Sequence, residues 1–188
     1  MAAPIALVGM PGGGKSTVGR QLARRLDWSF VDADAVVEER LGESIRAFFE
    51  REGEEAFRLL EERVIDELTR DPQPRVIATG GGACLRDANR GALHERCTVV
   101  YLRSTPEELF RRLRHDTQRP LLQVGDPLSR LRDLFAVRDP LYRECAHFIV
   151  ETGRPSVSTL VNMVLMQLEL AGVVPAHLAH SPVEPPRR

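Results

Sequence analysis

Apolar residues recur along this chain in two rhythms. Short continuous runs, IALV at 5–8, VIAT at 76–79 and TVVYL at 98–102, have the length and β-branched content of strands buried on both faces of a parallel sheet. Between them, apolar positions return every three or four residues. Val18, Leu22 and Leu26 do so with Arg20, Arg24 and Arg25 interleaved; Phe57, Leu60, Val64 and Leu68 repeat the pattern, as do Leu128, Leu131, Leu134 and Phe135. These spacings predict amphipathic helices, and Val157, Leu160, Val161, Val164, Leu165 and Leu168 predict a strongly apolar final one. Phe30 with Val31, and residues 148–150, add two further strands.

Turn and cap residues set the boundaries. The helical region after residue 34 runs to about Arg70, is broken near Gly42 and Gly53, and stops at Asp71-Pro72-Gln73-Pro74. A short helix to Glu95 follows the triplet Gly80-Gly81-Gly82. Thr105, Pro106 and Glu108 are an N-cap, an N1 proline and an N3 glutamate. The helix that starts near Leu128 is expected to end at Arg138-Asp139-Pro140. Residues 115–126, containing Arg119-Pro120 and Gly125, show little periodicity and read as an exposed mobile loop. Residues 173–188 read as a disordered tail with four prolines, in which His177 and His180 are solvated polar residues.

Strands alternating with helices predict an α/β fold, a three-layer sandwich around a five-stranded parallel sheet with right-handed crossovers. A chain of 188 residues with 43% hydrophobic content suits one such domain, residues 1–172. A net charge of −1 offers no general attraction to nucleic acid or to an anionic membrane, so the expected partner is a small molecule. Cys84, Cys97 and Cys145 are odd in number and lack a C-x-x-C pair, which disfavours disulfides and zinc. The opening MAAPIALVG has no charged leader and no stretch is long and apolar enough for a membrane span, so a cytoplasmic protein is expected.

The chemistry begins where the first strand stops. Residues 9–16, GMPGGGKS, fit G-x-x-x-x-G-K-[ST] between a strand and a helix, the context that a phosphate-binding P-loop requires. Gly12, Gly13 and Gly14 allow positive φ and close approach to an anion, so backbone N–H groups can line one concavity at a helix N-terminus. Lys15 would reach the β and γ phosphoryl oxygens of ATP, and the Ser16 hydroxyl would ligate Mg²⁺. Thr17 either packs or binds the α phosphate. Of 26 Lys and Arg residues, Lys15 is the one lysine. A planar guanidinium does not replace a compact ammonium in a tight cradle, so its retention here argues for nucleotide binding.

Other candidates are ambiguous one by one. Asp32 and Asp34 end the second strand, where open α/β sheets bind ligands, but aspartates are also common in solvated turns. Arg58 and Arg138 read alone as surface arginines of an arginine-rich chain, and Arg119 as a solvated loop residue. Arg58 and Glu61 share a helix face. The glycine triplet alone is a strand-to-helix turn.

Taken in order, the P-loop, Asp32-Ala33-Asp34, Phe57-Arg58, ATGGGA at 78–83, QRPLL at 118–122 and Arg138-x-Pro140-x-Tyr142 resemble the shikimate kinases over roughly residues 4–170. The resemblance implies a kinase that moves the γ phosphoryl group of ATP to the 3-hydroxyl of shikimate. It implies Asp32 with Ser16 at the Mg²⁺ and Asp34 as acceptor of the hydroxyl proton. Arg58 and Arg138 would meet the substrate carboxylate, Glu61 would orient Arg58, and Gly80, Gly81 and Gly82 would present backbone amides. Arg119 would belong to a lid at about 115–126 and close on the transferred phosphoryl group. Arg112, Arg154 and Pro155 would flank the adenine. A monomer is expected. Two other functions share the fold: a kinase of another small hydroxy acid such as gluconate, and a non-catalytic P-loop domain that senses a ligand. The paired arginines with the glycine triplet oppose the first; Lys15, Asp34 and Arg119 oppose the second.

Overall fold

A computed structural model describes residues 2–114, 125–153 and 155–176. Its sheet is built from β1 (Ile5–Val8), β2 (Ser29–Asp32), β3 (Arg75–Ala78), β4 (Thr98–Arg103) and β5 (Phe148–Glu151), all parallel, in the order β2-β3-β1-β4-β5. The predicted five-stranded α/β architecture is therefore the observed one. Central β1 is fully buried, which is why its four residues are apolar without alternation.

The pleat still sorts them. Ala6 and Val8 join Ile77, Val99 and Tyr101 in a core covered by α2 (Ala33–Leu41), α3 (Ile45–Arg70), α4 (Asp87–Arg96), α5 (Pro106–Leu113) and α6 (Pro127–Cys145). Ile5 and Leu7 face the other way with Val76, Val100, Leu102 and Val150, under α1 (Lys15–Leu26) and α7 (Val157–Leu170). Two helical layers thus enclose the sheet. Val18, Leu22 and Leu26 of α1 and Leu160, Val161, Val164, Leu165 and Leu168 of α7 are the buried stripes their periodicity predicts.

The punctuation also holds. Gly42 caps α2 in the left-handed region, Gly53 interrupts α3 at φ 83°, and Thr105 with Glu108 forms a capping box on α5. A 3₁₀ turn at Ala83–Leu85 precedes α4. One boundary is corrected: α6 does not stop at Pro140 but continues to Cys145. Proline removes one helical N–H, a loss set here against the burial of Tyr142 and Cys145 at 1% and 0% exposure. Asp139, in the disputed stretch, is tied to Tyr101, Arg103 and Arg143.

Cys84, Cys97 and Cys145 are buried free thiols. Among the described residues no helix is long and apolar enough to cross a membrane.

Candidate active site

Three carboxyl-terminal strand ends open onto one edge of the sheet. After β1 the chain enters residues 9–14, with Gly12 at φ 80° and Gly14 at φ 87°, conformations that L side chains rarely adopt. Gly13 needs no positive φ; its place is tight instead, since a Cβ there would sit 3.1 Å from the Met10 carbonyl oxygen. Gly14 is the N-cap of α1 and brings no side chain to cap it, so the first N–H groups of that helix face the loop's concavity. Lys15 is buried with Nζ donating to the Gly9 and Met10 carbonyls, 2.8 Å each. Thr17 is exposed, so of its two readings packing falls away.

Beside this loop, Asp32 closes β2 and works on two sides. Its Oδ1 accepts from the N–H groups of Asp34 and Ala35 and so starts α2, while Oδ2 accepts from Ser16 Oγ at 2.6 Å. This pairs a hydroxyl with a carboxylate held by its own cap. Two hard oxygen donors fit Mg²⁺, which takes few protein ligands and completes its shell with water and phosphate. Among the described residues no cluster of three or more His, Cys, Asp or Glu forms a protein cage for a metal.

Pro11, Gly12, Gly14, Lys15, Ser16, Thr17, Asp32, Asp34 and Thr79 line a cavity of about 400 Å³ with Gly80 and Gly81. A second, of about 540 Å³, lies between Arg58, Glu61, Arg138 and an apolar wall that includes Phe49, Phe57 and Leu134. Pro11, Asp34, Gly80 and Gly81 line both, so the two clefts meet at Asp34. Its carboxyl is pushed up to about 6, by burial first and then by the Glu61 and Asp32 carboxylates, against the pull of Lys15. Arg58 donates to Glu61 Oε1 at 2.9 Å, and both side chains are nearly shut off from solvent. Burial also raises the Glu61 carboxyl, with Arg58 and Arg138 opposing.

The profile of the shikimate kinase family matches residues 11–169. A shikimate kinase from Paracidovorax citrulli is 61% identical over 91% of this chain and 94% of its own length. The chain belongs to the shikimate kinase family. A solved shikimate kinase from Acinetobacter baumannii, in complex with shikimate, is 45% identical, covers 92% of this chain and 95% of its own, and superposes with a TM-score of 0.85. A gluconokinase from Sinorhizobium meliloti, 18% identical with a TM-score of 0.57 over 90% and 93% of the two chains, shares the fold alone.

For a member of this family, most of the sequence-selected residues converge: Gly12, Gly14, Lys15, Ser16 and Thr17 of the P-loop, with Asp32, Asp34, Arg58, Glu61, Gly80 to Gly82 and Arg138, line the paired clefts, whereas Gly13 is buried and lines neither. Arg112 does not; it lies exposed on α5, and Pro155 lies in the loop after β5, with neither lining those two cavities. Arg119, Arg154, most of the 115–126 lid and residues 177–188 of the tail lie outside the described residues. Sequence reasoning missed the apolar wall of Ile45, Phe49, Phe57 and Leu134, and Pro11 at the junction. It also missed what Tyr142 touches, although that residue stands in the motif it quoted.

Proposed function

We propose that this chain phosphorylates shikimate at its 3-hydroxyl with ATP, yielding shikimate 3-phosphate and ADP on the route to the aromatic amino acids. The observation that carries this reading is the meeting of the two clefts at Asp34. One cleft has the glycines, lysine and helix N-terminus suited to a triphosphate; the other is lined by three arginines, Arg58, Arg130 and Arg138, a basic wall suited to a carboxylate.

In this reading Asp34 takes the proton from the acceptor hydroxyl. The hydroxyl oxygen forms a bond to the γ phosphorus as the bond to the β–γ bridging oxygen breaks, and ADP leaves. Lys15 and the α1 N–H groups bind phosphoryl oxygens, and Thr17 serves the α phosphate. Ser16 and Asp32 would hold Mg²⁺, which when bound neutralises charge on the β and γ oxygens. Arg58 and Arg138 fix the substrate carboxylate, with Glu61 orienting Arg58 and the Gly80 to Gly82 amides at the sugar-like ring hydroxyls. By resemblance, Arg119 closes from the lid and Arg112, Arg154 and Pro155 flank the adenine. A cytoplasmic monomer completes the proposal; the tail expected from residue 173 begins later, because Val174 is buried and Val173 packs in the core under α1 and α7.

The test is ADP release with Mg²⁺-ATP and, in turn, shikimate, gluconate and nucleoside monophosphates. Release is expected with shikimate. Background release with shikimate alongside turnover of gluconate overturns the proposal.

A further inference from the structure

The glycine triplet has no side chains to hold its own shape, yet three groups of the site press on it. A Cβ on Gly80 would meet the Asp34 carboxylate, one on Gly81 would overlap Pro11, and one on Gly82 would overlap the Arg58 guanidinium. A run of glycines is the most deformable of backbones, so a surface matched this closely needs an anchor. The anchor comes from α6: the Tyr142 hydroxyl donates to the Gly81 carbonyl oxygen.

Tyr142 stands one helical turn after Arg138, 1% exposed, its ring 5.0 Å from that of Tyr101. Tyr101 donates to Asp139 Oδ1 at 2.7 Å, and Asp139 also accepts from Arg103 at 3.2 Å and Arg143 at 3.0 Å. The tyrosine is thus braced by the helix that carries Arg138. Burial holds its phenol well above the ordinary range, against the opposing positive charge of Arg138. At neutral pH the hydroxyl therefore keeps its single hydrogen, which goes to Gly81.

We propose that Tyr142 is a positioning residue: its hydroxyl ties Gly81 to α6, the helix that carries Arg138, so that the loop presenting backbone to the acceptor and the arginine binding its carboxylate hold one register. This rests on the acceptor-cleft reading above. A carboxylate that engages Arg138 offsets a charge that acts on the tyrosine hydroxyl one helical turn away, so its arrival is felt at the tyrosine oxygen.

Tyr142→Phe removes the hydroxyl and keeps the ring. Losing one such hydrogen bond corresponds to a rise in shikimate KM of about fivefold, with ATP KM changed by less than about twofold. An unchanged shikimate KM, or equal rises in both constants, overturns the proposal in favour of a purely structural tyrosine. If Tyr142→Phe does not fold, the unaltered protein decides: labelled with ¹³Cζ-tyrosine it has two resonances, assigned with Tyr101→Phe. Shikimate is expected to shift the Tyr142 resonance in the absence of ATP, and a resonance that stays in place at saturating shikimate overturns the proposal. Absence of any turnover of shikimate by the unaltered enzyme would instead remove the acceptor reading itself.

Discussion

Asp34 and Gly80 compete for the same space: a Cβ built on Gly80 falls 2.6 Å from Asp34 Oδ1. The glycine is therefore required by the neighbouring carboxylate, since its own φ lies outside the left-handed region. Gly80→Ala should displace Asp34 by a fraction of an ångström to an ångström, and misplacement on that scale costs about 100-fold in kcat. Overpacking should also cost roughly 1 to 3 kcal/mol. Gly91→Ala is the control, because a Cβ there meets nothing within 4 Å on α4. It should leave kcat unchanged, and alanine should favour the helix. A Gly80→Ala enzyme with wild-type kcat would show that Asp34 does not need its observed place.

The raised carboxyl of Asp34 sets a pH dependence in activity and in stability, with opposite senses. As a base it must be ionised, so kcat/KM for shikimate should fall about tenfold per unit of pH below about 6. For stability, the folded-state value near 6 lies above the ordinary 3.8 of the unfolded chain. Between these values the folded protein holds a proton that the unfolded chain releases. Stability contributed by this group is therefore greatest below about pH 4 and declines as pH rises through 6. Asp34→Asn should be inactive yet more stable at pH 7.5 by roughly 1 to 3 kcal/mol. Chemical denaturation of the ligand-free protein at several pH values measures it, and a destabilised Asp34→Asn at pH 7.5 would contradict the desolvated carboxylate.

How much of this was legible follows from distance along the chain. The P-loop and the Asp32 cap are local, so their residue types declare them: Asp32 bonds the N–H groups two and three residues on. Arg58 and Glu61 are also local, three apart on one helix. By contrast, Tyr142 and Gly81 are 61 positions apart, and no spacing rule connects them. Helix α6 passed its expected stop at Pro140 because burial of Tyr142 and Cys145 outweighed a local breaker. Arg112 was carried by resemblance through a loose motif, and it lines neither cleft. The apolar wall escaped notice because Phe49, Phe57 and Leu134 read equally well as ordinary helix-core positions until α3 and α6 are brought together.

The Arg58 and Glu61 pair should act as one unit on the acceptor. Arg58→Ala removes a charge-assisted bond worth roughly 1.5 to 3 kcal/mol and should raise shikimate KM tenfold or more, with ATP KM little changed. Glu61→Gln keeps the shape but loses the charge that orients Arg58, so a smaller rise in the same constant is expected. Because Glu61 acts through Arg58, Glu61→Gln should add little in an Arg58→Ala background. Steady-state kinetics of the four proteins completes the cycle. Additive effects on shikimate KM would mean that Glu61 serves the pocket by another route.

Lys15 offers the sharpest test of the nucleotide cleft, because its surroundings discriminate between two cations of equal charge. Its ammonium lies 2.8 Å from both the Gly9 and Met10 carbonyl oxygens, in a loop where Gly13 already approaches Met10 closely. A compact group with three donors can keep those carbonyls and still turn toward a phosphoryl oxygen; a longer planar fork cannot do both without moving the loop. Removing a donor aimed at developing charge typically costs about 100- to 1,000-fold in kcat, and Lys15→Ala should fall in that range. Lys15→Arg should recover little, staying within about tenfold of Lys15→Ala at saturating ATP and shikimate. Charge alone would predict the reverse. An Lys15→Arg enzyme near wild-type kcat would therefore show that the cradle reads charge and not shape, and would remove the physical reason offered for a single lysine in a chain otherwise furnished with arginine.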